Sequence, residues 1–281
     1  MPVPYFLVTF TLPDPLRQLA RSHQRPLYKI LFRSSADSLK KLARDPKFPG
    51  ADAAMVGVLH TWTRDLLFHP HVHYLVPGGG LSDDGQRWVA TPAADFFLPV
   101  TALSPIFRAK FRDAFHKANL PETVPEQVWR KDWVVHCQPA GNGQKVLRYL
   151  APYIYRIALS NNRLEKLENG QVTFRYRKSG SRQWRRSTLD ALDFIGRFLQ
   201  HVLPKGFLKI RYFGFLSSKN RNRLAAIRAL LTPTTPAQTL LDRPHPEKPP
   251  AATPPQLNCP QCGGHLLLAG RLSRPKRGLP R

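Results

Sequence analysis

The stretch Met55–Gly80, MVGVLHTWTRDLLFHPHVHYLVPGGG, decides how this chain folds. Met55–Trp62 and His71–Val76 are apolar, β-branched and aromatic runs separated by a short polar break at Thr63–Asp65, and the second ends in Gly78–Gly80. Two such runs so close together predict an antiparallel pair of strands. Side chains alternate between the faces of a strand, so His71 and His73 project together and Val72 points the other way. In the hairpin, His60 can lie opposite His71 and supply a third imidazole. His69 shares the parity of His71 and His73, but Pro70 leaves its place in the ladder open. A His-x-His pair is equally compatible with plain core or surface histidines; three rings on one face form a ready metal site.

Working outward, Tyr5–Leu12 reads as a buried strand stopped by Pro13, and Pro15–Ala43 carries helical spacing with Leu27, Ile30, Leu31, Leu39 and Leu42 as core candidates. A helix is expected around Pro105–Ala118, with Ile106, Phe107, Ala109, Phe111 and Phe115 apolar, and a strand over Val128–Gln138. Gly141–Gly143 opens a helix that runs to about Ser160. Asn162–Glu168 and Val172–Lys178 flank an Asn169–Gly170 turn, a strong hairpin signal. Thr188 is expected to cap a helix ending near Leu203, followed by a strand over Phe207–Phe215 and a basic helix over Asn220–Leu231. Eight of the 24 residues from Thr232 to Pro255 are proline, a linker composition. The expected organisation is a catalytic-sized domain over 1–231, a Pro-rich linker over 232–257 and a basic tail over 258–281. The fold class is α+β, with a mainly antiparallel sheet flanked by helices.

Composition narrows the partner. The 281 residues carry a formal charge of +25, and residues 141–230 alone hold 19 Lys/Arg against four acids. A field of that sign attracts polyanions, nucleic acid foremost. The segment FRYRKSGSRQWRR interleaves Phe174, Tyr176 and Trp184 with arginines, so rings can stack on bases while guanidiniums hold phosphates. Lys145, Arg148, Arg156, Arg163, Arg175, Arg177, Trp184, Arg185 and Arg186 are the candidate DNA contacts; the alternative is a merely solvated basic face. Three cysteines, Cys137, Cys259 and Cys262, exclude a disulfide scaffold, and no run of 18 apolar residues or leader-like start occurs. A reduced, cytoplasmic, DNA-associated protein with no membrane partner is expected.

Tyr149 and Tyr153 are four residues apart on the helix expected after Gly143 and share a face, whereas Tyr155 points elsewhere. Pro152 lies between them and removes one helical hydrogen bond. Aromatics at this spacing are most often core. With a metal nearby they have a second use: a phenol with pKa about 10 is a poor nucleophile unless a metal withdraws charge from the phosphate it attacks. A covalent phosphotyrosine keeps the energy of the cut bond, so strands can be rejoined without ATP. The absence of a Walker loop from the sequence agrees with that chemistry.

At HPHVHYLVPGGG and VLRYLAPYIYRIALSNNRL the sequence resembles the two-tyrosine rolling-circle transposases of bacterial insertion sequences, members of the HUH endonuclease superfamily. PVPYFLVTFTLP and FIGRFLQHVLPKGFLKIRYFGFLS extend the resemblance over roughly residues 2–231. It implies a ferredoxin-like catalytic sheet, His71 and His73 as paired ligands of one Mg²⁺ or Mn²⁺ ion, and Tyr149 and Tyr153 as nucleophiles. His60 is the implied third ligand by analogy with superfamily members that use an upstream strand. It implies single-stranded DNA, as element ends and target, for the partner, together with host replication machinery. Three imidazoles favour Mn²⁺ over Mg²⁺. Relatives usually carry a cysteine-rich zinc module ahead of the PVPYF strand, where this sequence starts; a truncated copy, a decayed copy and a misassigned start are the readings this leaves. CPQCGGH (Cys259, Cys262, His265) resembles half of a zinc ribbon, short of the four ligands a structural Zn²⁺ needs. A plasmid replication initiator or relaxase of the same superfamily, and a decayed, non-catalytic nucleic-acid-binding protein, are the alternatives. A two-metal nuclease would need clustered carboxylates, and only Asp65, Asp83 and Asp84 lie near the histidines.

Overall fold

In the computed structural model, which describes residues 1–121, 124–144, 146–148, 151, 158–177 and 180–231, strand β2 (Met55–Trp62) pairs antiparallel with β3 (Phe68–Pro77). Strand β1 (Tyr5–Thr11) pairs with the other edge of β3, and β6 (Val135–Pro139) pairs with β1. A last strand, β10 (Ile210–Phe213), covers the free edge of β2. The sheet order is β10-β2-β3-β1-β6, and every pairing is antiparallel. Helices α1 (Asp14–Ser22) and α2 (Gln24–Ala43) link β1 to β2, and α3 (Val100–Lys117) lies between β3 and β6. Strand–helix–strand–strand–helix–strand, with the first strand between the third and the last, is the ferredoxin-like arrangement. The expected α+β class with an antiparallel sheet is what forms.

Strand parity separates the two faces. Phe6, Val8, Phe10 and Leu12, with Leu59, Val72, Tyr74, Val76 and Val135, pack in one cluster with Leu27, Tyr28, Leu31 and Phe32 of α2 and Phe107, Phe111 and Phe115 of α3. Each fully buried side chain of this size contributes roughly 1.5–3 kcal/mol. Tyr74 brings a hydroxyl into this core and satisfies it, donating to the Phe32 carbonyl (2.9 Å) and meeting Ser35 Oγ (2.8 Å). Gly57 faces Tyr74 across the strands, and a Cβ there would come within 2.6 Å of the tyrosine ring. The opposite face carries Leu7, Thr9 and Thr11, His60 and Trp62, His71 and His73, and His136 and Gln138, all lining one cavity.

Several local expectations are corrected. The Val128–Gln138 strand begins only at Val135, because Glu126–Trp129 forms a 3₁₀ turn. That turn lets the Trp133 indole donate to the Val128 carbonyl at 2.9 Å, a reach that an extended strand of about 3.3 Å per residue forbids. Ala109 is exposed on α3, not core, and α3 starts at Val100 with Pro105 inside it. Thr188 is not a cap. It lies in β9 (Trp184–Asp190), where its hydroxyl meets that of Thr173 at 2.9 Å, and Asp190 caps α4 (Ala191–Leu199) by accepting from Leu192 N. The Phe207–Phe215 strand shrinks to Ile210–Phe213, ended by Gly214 at φ +64°.

Two smaller sheets complete the described residues. β4 (Gly79–Leu81) pairs with β5 (Trp88–Ala90), and a Cβ on Gly79 or Gly80 would sit 2.4 Å from the Val89 or Asp52 carbonyl, which explains the glycine run. β7 (Leu164–Glu168), β8 (Gln171–Arg177) and β9 form a meander, with Asn169 (φ +51°) and Gly170 (φ +72°) in its first turn as the Asn-Gly signal required. The basic helix expected after Asn220 is α5 (Arg221–Leu231). No helix among the described residues is long and apolar enough to cross a membrane. The linker and tail from 232 onward, with Cys259, Cys262 and His265, lie outside the described residues.

Candidate functional site

The β2–β3 register sets His60 opposite His71, with His73 two pairs further along and facing Val58. The three rings converge: His60–His71, His60–His73 and His71–His73 centroids are 5.3, 4.6 and 4.7 Å apart, with planes 75–88° to one another. One nitrogen from each lies within 4.8 Å of the others. The ladder shifts by one residue between His60/His71 and Trp62/Phe68, and this irregularity takes up Pro70, whose missing N–H a regular ladder could not use.

Neighbours orient two of the rings. His71 Nδ1 donates to the His69 carbonyl at 2.6 Å, which leaves Nε2 as its lone-pair nitrogen. His73 Nδ1 shares a 2.8 Å hydrogen bond with Thr9 Oγ1, its cross-strand partner on β1. His60 stacks on Trp62 (centroids 5.6 Å), and the Lys209 ammonium lies 4.7 Å from the Trp62 ring. Burial, then the neighbouring imidazoles, holds His60 and His71 well below the usual histidine range, and burial lowers His73 to about 4. All three are therefore neutral near pH 7 and offer lone pairs. Burial also brings Lys209 down to about 8. The donor chemistry fits one divalent ion: three neutral imidazole nitrogens within 4.8 Å of one another are the ligand type such ions take.

The triad opens on a cavity of about 1460 Å³. Small-molecule pockets run to roughly 300–1,000 Å³, so this one has room for a larger ligand. Its floor is the face of β1, β2, β3 and β6 already described. Val146, just after the Gly141–Gly143 turn, packs on Leu7, Val58 and Leu75 at one end of that floor. Residues 144, 146–148 and 151 are helical as expected, so the described part of that helix seats on the same sheet face as the triad. Tyr149, Tyr153 and Tyr155, and with them Lys145 and Arg156, lie outside the described residues.

The other basic candidates divide by strand parity. Arg175 and Arg177 of β8 and Trp184 and Arg186 of β9 share the outward face, and the two guanidiniums lie 4.8 and 4.3 Å from the half-exposed Trp184 ring. Arg186 pairs with Glu165 at 2.7 Å. Arg163 donates to the backbone carbonyls of Arg175 and Arg64, and Arg148 is exposed. Arg185 alone of these lies on the inward face, opposite Tyr176, and both line the cavity. The sequence reading missed Thr9, Trp62 and His136 as cavity residues. Their parity was visible, but the pairing of β1 with β3 and β6 joins segments more than sixty residues apart.

Residues 54–223 match the Y2_Tnp family, described as "Putative transposase". The protein "Putative transposase y4qJ" of Sinorhizobium fredii is 41% identical over 255 residues, covering 83% of this chain and 64% of that protein. "Transposase for insertion sequence element IS801" of Pseudomonas savastanoi pv. phaseolicola is 31% identical over 241 residues, covering 77% of this chain and 55% of that protein. The chain thus spans about three fifths of the length of these curated relatives. Among solved structures, TrwC complexed with a 27-mer DNA comprising the recognition hairpin and the cleavage site matches at 14% identity with a TM-score of 0.32, over 80% of this chain and 73% of that one, a score too low to carry an argument. With more than half of its length matched, the chain belongs to the Y2_Tnp transposase family.

Proposed function

We propose that residues 1–231 form a transposase domain that nicks and rejoins single-stranded DNA through a 5′-phosphotyrosine during rolling-circle transposition, in the bacterial cytoplasm. Residues 232–257 serve as its linker and 258–281 as a basic tail. The observation that carries this reading is the convergence of His60, His71 and His73 at the floor of a large cavity. These residues would hold one Mg²⁺ or Mn²⁺, with three nitrogen donors favouring Mn²⁺. When bound, the ion draws charge from a scissile phosphate and orients it. Thr9 and the His69 carbonyl fix the rings that receive it.

In the proposed step, the oxygen of Tyr149 or Tyr153 forms a bond to phosphorus and the bond to the 3′ oxygen breaks. The phenolic proton is lost and the departing 3′ oxygen is left as a hydroxyl. Attack by a 3′ hydroxyl on the phosphotyrosine reverses the bookkeeping and joins strands. Two tyrosines let one hold the first cut end while the other attacks a second phosphate. The seat of Val146 on the triad's face of the sheet supports a tyrosine helix at this site. Arg148, Arg175, Arg177, Trp184 and Arg186, with Lys145, Arg156 and Arg163, provide the surrounding strand contacts in this reading.

The decisive experiment incubates the chain with its own element's end as single-stranded DNA and Mn²⁺, then looks for a covalent protein–DNA adduct on a denaturing gel. Tyr149→Phe and Tyr153→Phe each remove one oxygen and should each lower strand transfer severely; the double variant should form no adduct. Tyr155→Phe should behave like the parent. An adduct from the double variant overturns the tyrosine assignment.

A further inference from the structure

The β8–β9 hairpin is anchored beside the triad by its inward face. Val172, Phe174 and Leu189 point inward by register, and Phe174 packs with Trp62, Leu66 and Ala158, flanked by Leu189 and Phe194. Trp62 in turn stacks on His60, so the hairpin's position is tied to the ligand set through a single ring. Two pairs along from Phe174, Tyr176 packs against the rim of this cluster and faces Arg185 across the strands, and both emerge in the wall of the cavity whose floor holds the histidines. Tyr176 is half-buried and Arg185 exposed. Arg186, the next residue, is neutralised by Glu165 on the outward face; Arg185 makes no ion pair among the described residues. A cation and an aromatic ring therefore sit side by side in the wall of the cavity that also holds the three imidazoles.

We propose that Tyr176 and Arg185 form a strand-binding pair that holds the nucleotide flanking the scissile phosphate, the arginine gripping a backbone phosphate and the tyrosine ring stacking a base. This rests on the cavity being the cleavage site. Guanidinium is suited to the role because its planar fork meets two phosphate oxygens at once, whereas lysine presents a point charge. The pair differs in function from Arg175, Arg177 and Trp184. Those residues stand on the opposite face of the same two strands, where alternation turns them away from the triad.

The test uses the full chain and two readouts. Fluorescence anisotropy, without metal, measures binding of a labelled single strand spanning the cleavage site; Mn²⁺ titration measures the ion site on the chain alone. Tyr176→Ala should weaken strand binding roughly 5- to 100-fold, the range of one lost base–ring stack, and Tyr176→Phe should retain most of the affinity. Arg185→Gln should weaken strand binding about 10-fold and slow adduct formation at saturating strand, and Arg185→Lys should restore only part of each. Mn²⁺ binding should match the parent in all four, and thermal melting in all but Tyr176→Ala, which also loses the ring's packing on the Phe174 cluster. Parent-like strand affinity in Arg185→Gln and Tyr176→Ala overturns the proposal, as does loss of Mn²⁺ binding or of folding in Arg185→Lys and Tyr176→Phe, which would make the pair structural. If the parent forms no adduct, the cleavage reading fails while the anisotropy series still decides whether this pair binds strand.

Discussion

Thr9 is the smallest side chain with a large expected effect. Its hydroxyl meets His73 Nδ1 at 2.8 Å, and a residue that orients a metal-binding imidazole commonly matters by 10- to 100-fold in ion affinity. Thr9→Val keeps the shape and removes the oxygen, so Mn²⁺ affinity measured by calorimetry should fall about 10-fold or more. Unchanged affinity would mean that the strands alone aim the ring. The same burial that keeps the histidines neutral makes stability depend on pH. His73 and His201 each titrate at about 4 when folded, against about 6.5 for a free imidazole. The unfolded chain then binds protons that the folded one refuses, so stability is complete above pH ~6.5 and declines as pH falls towards 4, by up to roughly 3 kcal/mol per ring. Urea midpoints in chelator should therefore be lower at pH 5 than at pH 7.5, and equal midpoints would contradict the burial. His60, His71 and His73 were legible from parity and spacing alone; Thr9 was not, because its role depends on a strand pairing sixty-four residues away in sequence.

At the level of strands and helices, legibility followed the apolar pattern. β2 and the Asn169–Gly170 turn were read correctly because one strand is continuously apolar and the other feature needs positive φ. β9, WRRSTLD, gives no strand signal in the sequence, where Thr188 reads as a helix cap, because its outward face is charged and its inward face carries only Ser187 and Leu189 beyond Arg185. Two variants separate the readings. Asp190→Ala should cost about 1 kcal/mol as a lost helix cap, and Thr188→Ala only the few tenths of a cross-strand hydroxyl pair. Denaturation midpoints that rank them the other way would restore Thr188 as the cap. Gly57→Ala probes the other sheet. Its Cβ would press to 2.6 Å from a tyrosine ring fixed by two hydrogen bonds, and such overpacking costs typically 1–3 kcal/mol. A lower melting temperature is expected; an unchanged one would mean that Tyr74 can yield.

Over the whole molecule, a +25 charge favours a polyanionic partner without saying which cations face where. That sorting needs the β8–β9 register, which places Arg185 in the cavity and Arg175 and Arg177 beside Trp184 outside it. Single-strand binding should weaken steeply as salt rises, by about 0.7 in the logarithmic slope for each phosphate neutralised. Arg175→Ala/Arg177→Ala together should flatten that slope by about 1.4, as measured by anisotropy across a salt series. A slope identical to the parent's would remove these two arginines from the strand path. The tyrosine assignment rests on helical spacing and on the family resemblance, falls outside the described residues, and its test is chemical.

The order in which the sheet can be assembled follows from where the histidines sit. β1 is the first strand of the chain yet lies between β3 and β6, so it gains one neighbour only after β3 has been made and the other only after β6. His60, His71 and His73 fall within fourteen consecutive residues, and closing so short a loop costs little entropy. The β2–β3 hairpin that brings the three histidines together can thus form before β1 and β6 have joined the sheet. A slip of one residue between β2 and β3 would send His60 to the opposite side from His71 and His73. If the three imidazoles hold the proposed ion, an ion captured early would reward only the correctly aligned hairpin, and the site would check the register of the nascent chain before any DNA reached it.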